Sequence, residues 1–215
     1  MTDSSVIRLQ QIVEALERVA VALNDRQEYL TELDQAMGDG DLGITASKIS
    51  VVLKEYTAAT TGEDLGKYLA AAGMAINRAA PSTMGTLLAT ALMKVGKETR
   101  GLSEFNGKNL AAVVEAADRG IQERGKAKPG DKTIVDALHP AAETFKQAIE
   151  EGVDLKEAGE RMLAAAEKGL NDVTPLQSRI GRASWVGERT KDQVDPGCAL
   201  FVAILKAILN TEITV

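Results

Sequence analysis

The clearest structural signal in the chain is the stretch IVDALHPAAETFKQAIEEG, residues 134–152. Its apolar residues recur every three or four positions, at Ile134, Leu138, Ala141, Phe145, Ala148 and Ile149. This spacing places them on one face of an α-helix. Gly152 then supplies a typical helix end. The stretch therefore predicts an amphipathic helix that packs one face against a core.

Apolar residues recur every three or four positions in other segments too, on both sides of this stretch along the chain. The predicted helices are about Ser5 to Asn24, after Gly43 through Tyr56, near Gly62 through Ile76, Pro81 to near Gly96, about Lys108 to Arg124, after Asp131 to Gly152, Asp154 to about Val173, and Pro196 to about Asn210. No segment sustains the alternation of a strand, and aromatic residues make up only 3% of the chain. We therefore predict an all-α fold of eight helices, with residues 1–215 as one domain.

Composition excludes several classes of function. The formal net charge of −6 argues against a nucleic-acid partner, which would favour a basic surface. The lone Cys198 rules out an internal disulfide, and with His139 as the lone histidine a zinc site built from His and Cys is implausible. Cys198 has apolar neighbours, which predict a buried thiol. No leader or membrane-length apolar run is present, so we expect a cytoplasmic protein without membrane contact.

Two stretches interrupt the helical period. The first, Leu33 to Gly43, holds three aspartates and three glycines. The second, Thr174 to Asp195, is rich in Arg, Ser and Gly, and we call it the lid because long connections in compact domains are often functional. Its Trp185 is expected to pack within the lid rather than to stack on a ligand. We expect the functional residues to lie in these two stretches.

Asp39 and Asp41 flank Gly40, which lets the backbone curl so that both carboxylates converge, and Asp34 lies five residues earlier. Each carboxylate pair about 4 Å apart costs roughly 4 kcal/mol at an effective dielectric of 20, so a cation between them is favoured. All-oxygen ligands predict Mg²⁺ or Ca²⁺, and the spacing does not fit an EF-hand. The alternative is a surface turn in which an aspartate caps the next helix.

Three segments together resemble the L subunit family of dihydroxyacetone kinases. They are LDQAMGDGDLG at 33–43, RGKAKPGDKT at 124–133, and GRASWVGER at 181–189 followed by Asp195-Pro196-Gly197. Their order and spacing match that family over nearly the whole chain. The resemblance implies an eight-helix antiparallel barrel that binds ADP or ATP at one end.

The resemblance also assigns residues. It implies that Asp34, Asp39 and Asp41 bind two Mg²⁺ ions and, with Arg182, act in catalysis. It places the nucleotide phosphates near Leu42, Gly43, Ile44 and Thr45 and near the turn at Ala79 and Ala80. It places the adenine near Gly125 and Ile134, and the covering lid at Arg182, Asp195, Pro196 and Gly197. From the residues alone, Arg182 could instead pair with Glu188, Asp195 could be a plain helix cap, and Gly125 could be a helix end.

The family pattern is altered at two places. Leu42 stands where the family usually has His, and the turn NRAAPST at 77–83 replaces a Gly-Gly-x-Ser-Gly turn, with Ser82 or Thr83 as candidates for the missing serine. The resemblance implies a subunit that donates phosphate to a small ketose held by a separate K-type subunit. Free ATP and a phosphotransfer-system protein are both open as phosphate donors, and so is a homodimer. The alternative is a non-catalytic regulatory module that binds ADP and Mg²⁺.

Overall fold

The computed structural model describes residues 6–211, so the predicted first residue of the first helix, Ser5, lies outside the described residues. The α-helices in this range are α1 Leu9–Asp25, α2 Gln27–Met37, α3 Leu42–Ala59, α4 Leu65–Ala79, α5 Thr83–Glu98, α6 Gly107–Gly125, α7 Ile134–Glu151, α8 Leu155–Val173, α9 Ala183–Val186 and α10 Pro196–Leu209. A short 3-10 helix, Gly187–Thr190, follows α9. Two two-residue strands, β1 Ile7–Arg8 and β2 Glu104–Phe105, pair antiparallel.

The helix that first indicated the fold forms for the reasons its sequence suggested. Thr133 caps α7 because its hydroxyl accepts a hydrogen bond from the Val135 amide. In turn, the Asp136 carboxylate accepts a hydrogen bond from the Thr133 amide. Gly152 ends the helix in the left-handed region at φ 80°. The predicted apolar positions are buried, apart from the partly buried Ile149. The all-α prediction is confirmed.

Eight of the helices form a closed ring. In order around the ring they are α1, α3, α4, α5, α6, α7, α8 and α10, and α10 packs back against α1. Neighbours joined by short connections run antiparallel. The amino-terminal ends of α3, α5, α7 and α10 therefore meet at one end of the barrel. This end is also where the lid and the acidic stretch lie.

Sequence reasoning missed α2. Residues 33–37 were assigned to a connection, but they form the last turns of this helix, and only residues 38–41 lie between α2 and α3. The α2 sequence is mostly polar, with only Leu30 and Met37 buried, so it lacks the apolar face that revealed the other helices. The helix packs across α3 outside the ring order. Asp34 is consequently held by a helix rather than by a flexible loop.

Two boundaries also differ from the predictions. The first helix begins at Leu9, because Ile7 and Arg8 pair with β2 instead. The helix α5 continues past Gly96 to Glu98. A Cβ atom on Gly96 would collide with the Gly66 carbonyl oxygen, so this glycine permits close packing of α4 on α5 rather than ending the helix.

Within residues 6–211, no helix is both long and apolar enough to cross a membrane.

Candidate metal centre

The three aspartates of the acidic stretch lie together at the barrel end. One carboxylate oxygen from each of Asp34, Asp39 and Asp41 lies within 4.8 Å of the others. Asp34 is on the last turn of α2, where its Oδ2 accepts a 3.1 Å hydrogen bond from the Leu42 amide at the start of α3. Gly40 has φ +75°, a left-handed conformation that strains residues with a side chain. The loop thus turns tightly enough for the carboxylates to converge.

Electrostatic repulsion within this cluster is only partly relieved. The side chains of Asp39 and Asp41 are 49% and 47% exposed. Partial burial, followed by the nearby charge of Asp34, raises the pKa of Asp41, while Lys48 acts in the opposite direction. At the 4.8 Å limit of the cluster, one pair of unit charges costs about 3 to 4 kcal/mol at an effective dielectric of 20. The cluster therefore favours a cation.

Arg182 from the lid supplies one positive charge. Its Nη1 forms an ion pair with Asp39 and lies 3.4 Å from Asp41 Oδ2. Glu188 pairs with Lys191 instead, so the alternative pairing of Arg182 with Glu188 is wrong. Three carboxylates and one guanidinium leave a formal charge of −2 when all are ionised. That residual charge would be balanced by a divalent cation.

The oxygen donors fit a hard cation such as Mg²⁺. All donors in the cluster are carboxylate oxygens, and the half-exposed side chains leave room for water or phosphate oxygens to complete the coordination. The role of these aspartates as metal ligands stays a prediction, and so does the number of ions.

Four helix amino-termini lie at the same end of the barrel as the cluster, in two contacting pairs. Thr45 Oγ1 in the first turn of α3 donates a 2.9 Å hydrogen bond to Ser82 Oγ, the N-cap of α5. On the other side, a Cβ on Gly197 in α10 would lie 3.1 Å from the Ile134 amide nitrogen, the first of α7. Unpaired amides and helix dipoles at such ends attract phosphate groups. The barrel end thus combines an acidic cluster with helix amino-termini of positive dipole, and the binding of a cation and an anion there stays a prediction.

The remaining predicted residues lie around this rim. Ala79 ends α4, and the buried Ala80 follows it two residues before Ser82. Gly125 packs beside Leu87, which belongs to the same core cluster as the buried Ile134. Pro196 and Gly197 begin α10. The structure brings these positions to one end of the barrel, while their contacts with a ligand stay predictions.

At the start of α3, Leu42 and Gly43 are buried and Ile44 is exposed. Leu42 packs in the core, so its side chain offers no polar contact at the site. A Cβ on Gly43 would collide with Thr31 and the Gln27 carbonyl, so this glycine allows α2 to approach α3. The close approach holds Asp34 beside the loop that carries Asp39 and Asp41.

A family model described as the DAK2 domain matches residues 36–210. The chain belongs to the DAK2 domain family. The match includes the predicted site residues except Asp34, which lies two positions before it. The resemblance to the L subunit family of dihydroxyacetone kinases is confirmed, with this chain as a divergent member.

Relatives of this DAK2 domain cover most of its length. "PEP-dependent dihydroxyacetone kinase, ADP-binding subunit DhaL" of Escherichia coli strain K12 is 29% identical over 198 residues, which are 92% of this chain and 94% of that protein. The ADP-binding subunit DhaL of dihydroxyacetone kinase 2 of Listeria innocua is 30% identical over 199 residues, 91% of each chain. L-erythrulose kinase of Pectobacterium atrosepticum is 32% identical over 213 residues, 91% of this chain and 35% of that protein.

Solved structures show the same fold. The native dihydroxyacetone kinase of C. freundii aligns with a TM-score of 0.74 and 21% identity, covering 96% of this chain and 35% of that one. The same enzyme in complex with AMP-PNP and Mg²⁺ aligns with a TM-score of 0.71 and 21% identity. The DAK2 domain described here therefore spans about a third of those solved chains. The likeness confirms the helical fold.

The structure decides three expectations for the lid and the start of α10 of this DAK2 domain. Trp185 was expected to pack within the lid, but it is 87% exposed, so that expectation is wrong. Asp195 is a helix cap, as one alternative held, since its Oδ1 accepts a 2.7 Å hydrogen bond from the Cys198 amide. Burial raises the pKa of Asp195 to about 6. The thiol of Cys198 is buried as predicted.

Sequence reasoning also missed Lys132, a buried lysine beneath the lid. It lies in the segment RGKAKPGDKT that carried the family resemblance, but no pattern indicated that its side chain turns inward. Lys132 has a left-handed backbone conformation, with φ 61°, and its side chain is buried. Left-handed backbone at a lysine is not encoded by a recognisable local motif.

Proposed function

We propose that the chain is the nucleotide-binding, phosphoryl-donating subunit of a dihydroxyacetone-type kinase. ADP or ATP would bind at the barrel end through two Mg²⁺ ions held by Asp34, Asp39 and Asp41. The observation that carries the proposal is the convergence of these three carboxylates within 4.8 Å beneath the Arg182 guanidinium. Shared ancestry with proteins named as ADP-binding subunits of dihydroxyacetone kinases supports it.

Each part of the site has a task in this proposal. The bound Mg²⁺ would neutralise phosphate oxygens and so lower the barrier to in-line phosphoryl transfer. The Gly43 and Ile44 amides and the Thr45 hydroxyl in the first turn of α3, together with the turn at Ala79 and Ala80, would orient the phosphates. Arg182 would move from the carboxylates to the phosphates, since its guanidinium forms a fork of donors suited to them. Asp34 is fixed by the Leu42 amide and so holds the metal geometry.

The nucleoside would lie toward α7 and α10. Gly125, Ile134 and the segment Asp195 to Gly197 would form that side of the pocket. Gly197 packs directly on the Ile134 amide, so a larger residue there would push α10 away from α7. The lid would cover the bound nucleotide and exclude water from the transferred phosphate.

The ketose would be held by a separate K-type subunit. The family's substrate is bound by a histidine, and the only histidine of this chain, His139, forms a 2.8 Å contact with Asp118 Oδ2 on α6 instead of facing the acidic cluster. The donor would be free ATP, or a phosphotransfer-system protein that rephosphorylates bound ADP. We further propose one domain over the whole chain and a cytoplasmic location; a homodimer is the oligomeric alternative to a single copy.

A second function, a regulatory module that binds ADP and Mg²⁺ without turnover, is favoured by one specific observation. Leu42 is buried in the core, so the polar side chain that the family usually places there is missing. Such a module would keep the metal and nucleotide site and lose the catalytic rate. The two functions therefore agree on binding and differ on turnover.

The deciding experiment combines the purified chain with a K-type subunit, dihydroxyacetone and Mg-ATP, and measures sugar phosphate by mass spectrometry. A parallel reaction replaces ATP by ADP with the phosphotransfer proteins and phosphoenolpyruvate. Product in either reaction supports the kinase subunit and identifies the donor. Tight binding of Mg-ADP without product in both supports the regulatory module, and absence of nucleotide binding contradicts both functions.

A further inference from the structure

Lys132 is the most deeply buried charged side chain among the described residues, with 1% of its surface exposed. Its Nζ donates hydrogen bonds to three backbone carbonyl oxygens, those of Thr174 at 2.7 Å, Leu176 at 2.9 Å and Thr190 at 2.5 Å. An ammonium group has three N–H donors, so all of them are used. The proposed nucleotide site has no direct need of this residue.

The three carbonyls belong to the two ends of one segment. Thr174 and Leu176 begin the lid, and Thr190 ends the 3-10 helix near its far side. The lid is closed on itself at the same place, since Thr190 Oγ1 accepts a hydrogen bond from the Ser178 amide and donates one to the Gly187 carbonyl. Lys132 therefore ties both ends of residues 174–190 to the turn before α7.

Arg182 lies in the middle of the tied segment. The chain between Leu176 and Thr190 carries α9 and the 3-10 helix and presents Arg182 to Asp39 and Asp41. A second tie joins the same turn to the lid, because the Asp131 carbonyl accepts a 3.1 Å hydrogen bond from the Arg179 amide. The position of the guanidinium over the acidic cluster is thus set from beneath the lid.

A neutral side chain could not replace Lys132 without loss. Removing it would take the Nζ donor from the carbonyls of Thr174 and Leu176 and would leave the Thr190 carbonyl only a long 3.4 Å bond from the Gln193 amide, and buried unsatisfied polar groups are costly. Burial lowers the pKa of Lys132, while the charges of Asp195 and Asp192 act in the opposite direction. The surrounding carbonyls and these carboxylates together favour a cation at this place.

We propose that Lys132 is a positioning residue of the nucleotide site, which acts by fixing the lid so that Arg182 faces the acidic cluster. This inference rests on the proposed function, because the effect on nucleotide binding presupposes that the acidic cluster holds Mg-nucleotide. The effect on the lid itself does not depend on that function and can be measured without any ligand.

The lid carries its own reporters. Trp185 is the only tryptophan of the chain and lies on α9, so the time-resolved anisotropy of tryptophan fluorescence reports local motion of the lid. Trypsin has four lid sites, at Arg179, Arg182, Arg189 and Lys191. For Lys132→Met, we expect lower anisotropy of Trp185 and lid cleavage about tenfold faster, because freed loop ends open more often. Lys128→Met, an exposed lysine in the same turn, is the matched control and should match the wild type.

Nucleotide binding tests the second half of the proposal. Lys132→Met should weaken Mg-ADP binding by about tenfold in calorimetry, and the same change in an Arg182→Gln background should add little, because the two residues act through one guanidinium. Equal losses in both backgrounds would overturn action through Arg182. Unchanged anisotropy and cleavage in Lys132→Met would overturn the tie itself.

Two further arms separate the remaining outcomes. If Lys132→Met does not fold by circular dichroism, Lys132→Gln takes its place, since its amide can donate up to two of the three hydrogen bonds and should give intermediate values of the same quantities. If the wild type binds no Mg-ADP, the proposed function fails. The anisotropy and cleavage measurements then still decide whether Lys132 fixes the lid.

Discussion

Two basic side chains, Arg182 of the lid and Lys132 beneath the lid, have different surroundings. Arg182 is 52% exposed and faces three carboxylates whose charge it does not balance. Lys132 is enclosed and donates to three neutral carbonyls, with each donor used. The acidic cluster is thus left short of positive charge, whereas the lysine site is complete. This contrast is typical of a region that receives a ligand and one that holds a structure in place.

The contrast has an energetic consequence. Crowded carboxylates that face solvent lower the stability of the free protein, because each retains repulsion that a cation would remove. Buried carbonyls without a donor lower stability when their partner is removed. Neutralising a charge should therefore have opposite effects on folding in the two regions, and ligand binding should depend directly on only one of them.

The largest expected effect is on metal-nucleotide affinity. Asp39→Asn and Asp41→Asn each replace a charged ligand by a neutral one, so we expect Mg-ADP affinity to fall by about a hundredfold or more, as for loss of a charge-assisted metal contact. Isothermal titration calorimetry at fixed Mg²⁺ measures it, together with mass spectrometry of nucleotide retained on purification. Asp172→Asn, an exposed aspartate paired with Lys168, is the control. Equal affinity in all proteins would refute the metal role.

The next expected effect is on the stability of the fold. Without Mg²⁺, Lys132→Met should lower the free energy of unfolding by about 2 kcal/mol or more, because the carbonyls of Thr174 and Leu176 lose their Nζ donor and the Thr190 carbonyl keeps only a long 3.4 Å bond from the Gln193 amide. Asp39→Asn should leave that free energy unchanged or raise it slightly, because it removes repulsion. Urea unfolding followed by circular dichroism measures both, with Lys128→Met as the control. Similar destabilisation by Lys132→Met and Asp39→Asn would remove the distinction between the two regions.

The barrel could largely be predicted from the sequence, and the reason is visible in particular residues. Helices with one continuous apolar face, such as α7, follow directly from residue spacing. The polar helix α2 does not, since Leu30 and Met37 alone are buried and its stability comes from packing on α3. A helix that depends on tertiary contacts leaves a weak local pattern.

The candidate site divides in the same way. The aspartates were found because the glycine of Asp-Gly-Asp lets two carboxylates converge, and because the resemblance carried by the later segments favoured a metal site over a surface turn. The partner of Arg182 was left open, because residues 141 positions apart in the chain meet only through the lid. Lys132 and the exposed Trp185 were missed for the same reason: backbone turns of the folded chain decide which side faces inward. Local chemistry is readable from sequence, and the contacts of the lid are not.

A third prediction concerns Asp195, which lies beside Lys132 in the enclosed region. Its pKa is raised to about 6, so the folded state keeps the proton that the unfolded state loses near pH 4. The stability that this proton supplies is full below about pH 4 and is lost as pH rises through about 6. Asp195→Asn keeps a cap oxygen without a titrating group.

The free energy of unfolding of Asp195→Asn, relative to the wild type, should therefore rise between pH 4 and pH 7 by on the order of 3 kcal/mol. Urea unfolding at half-unit pH steps measures the difference, which cancels the opposite contributions of exposed carboxylates. Asp154→Asn, an exposed helix cap at α8, is the control and should show no such rise. A constant difference across this range would contradict a protonated Asp195.

The smallest expected effect separates the two tasks of Arg182. In the free protein its guanidinium occupies the space beside Asp39 and Asp41 where a cation would bind, so it competes with Mg²⁺. Arg182→Gln should therefore tighten binding of Mg²⁺ alone, by up to about tenfold for one unit charge at a half-exposed site. The same variant should weaken Mg-ADP by about tenfold, because a phosphate donor is lost.

Opposite signs in one variant are difficult to produce by a general loss of structure, which would weaken both ligands. Titration calorimetry with MgCl₂ and then with Mg-ADP gives both affinities from the same preparation. Arg189→Gln, an exposed arginine in the same lid, is the matched control. If Arg182→Gln weakens Mg²⁺ as well, the guanidinium stabilises the acidic cluster in its binding geometry rather than competing with the metal. Arg182 would then be part of the structure that holds the acidic cluster, as Lys132 is part of the structure that holds the lid.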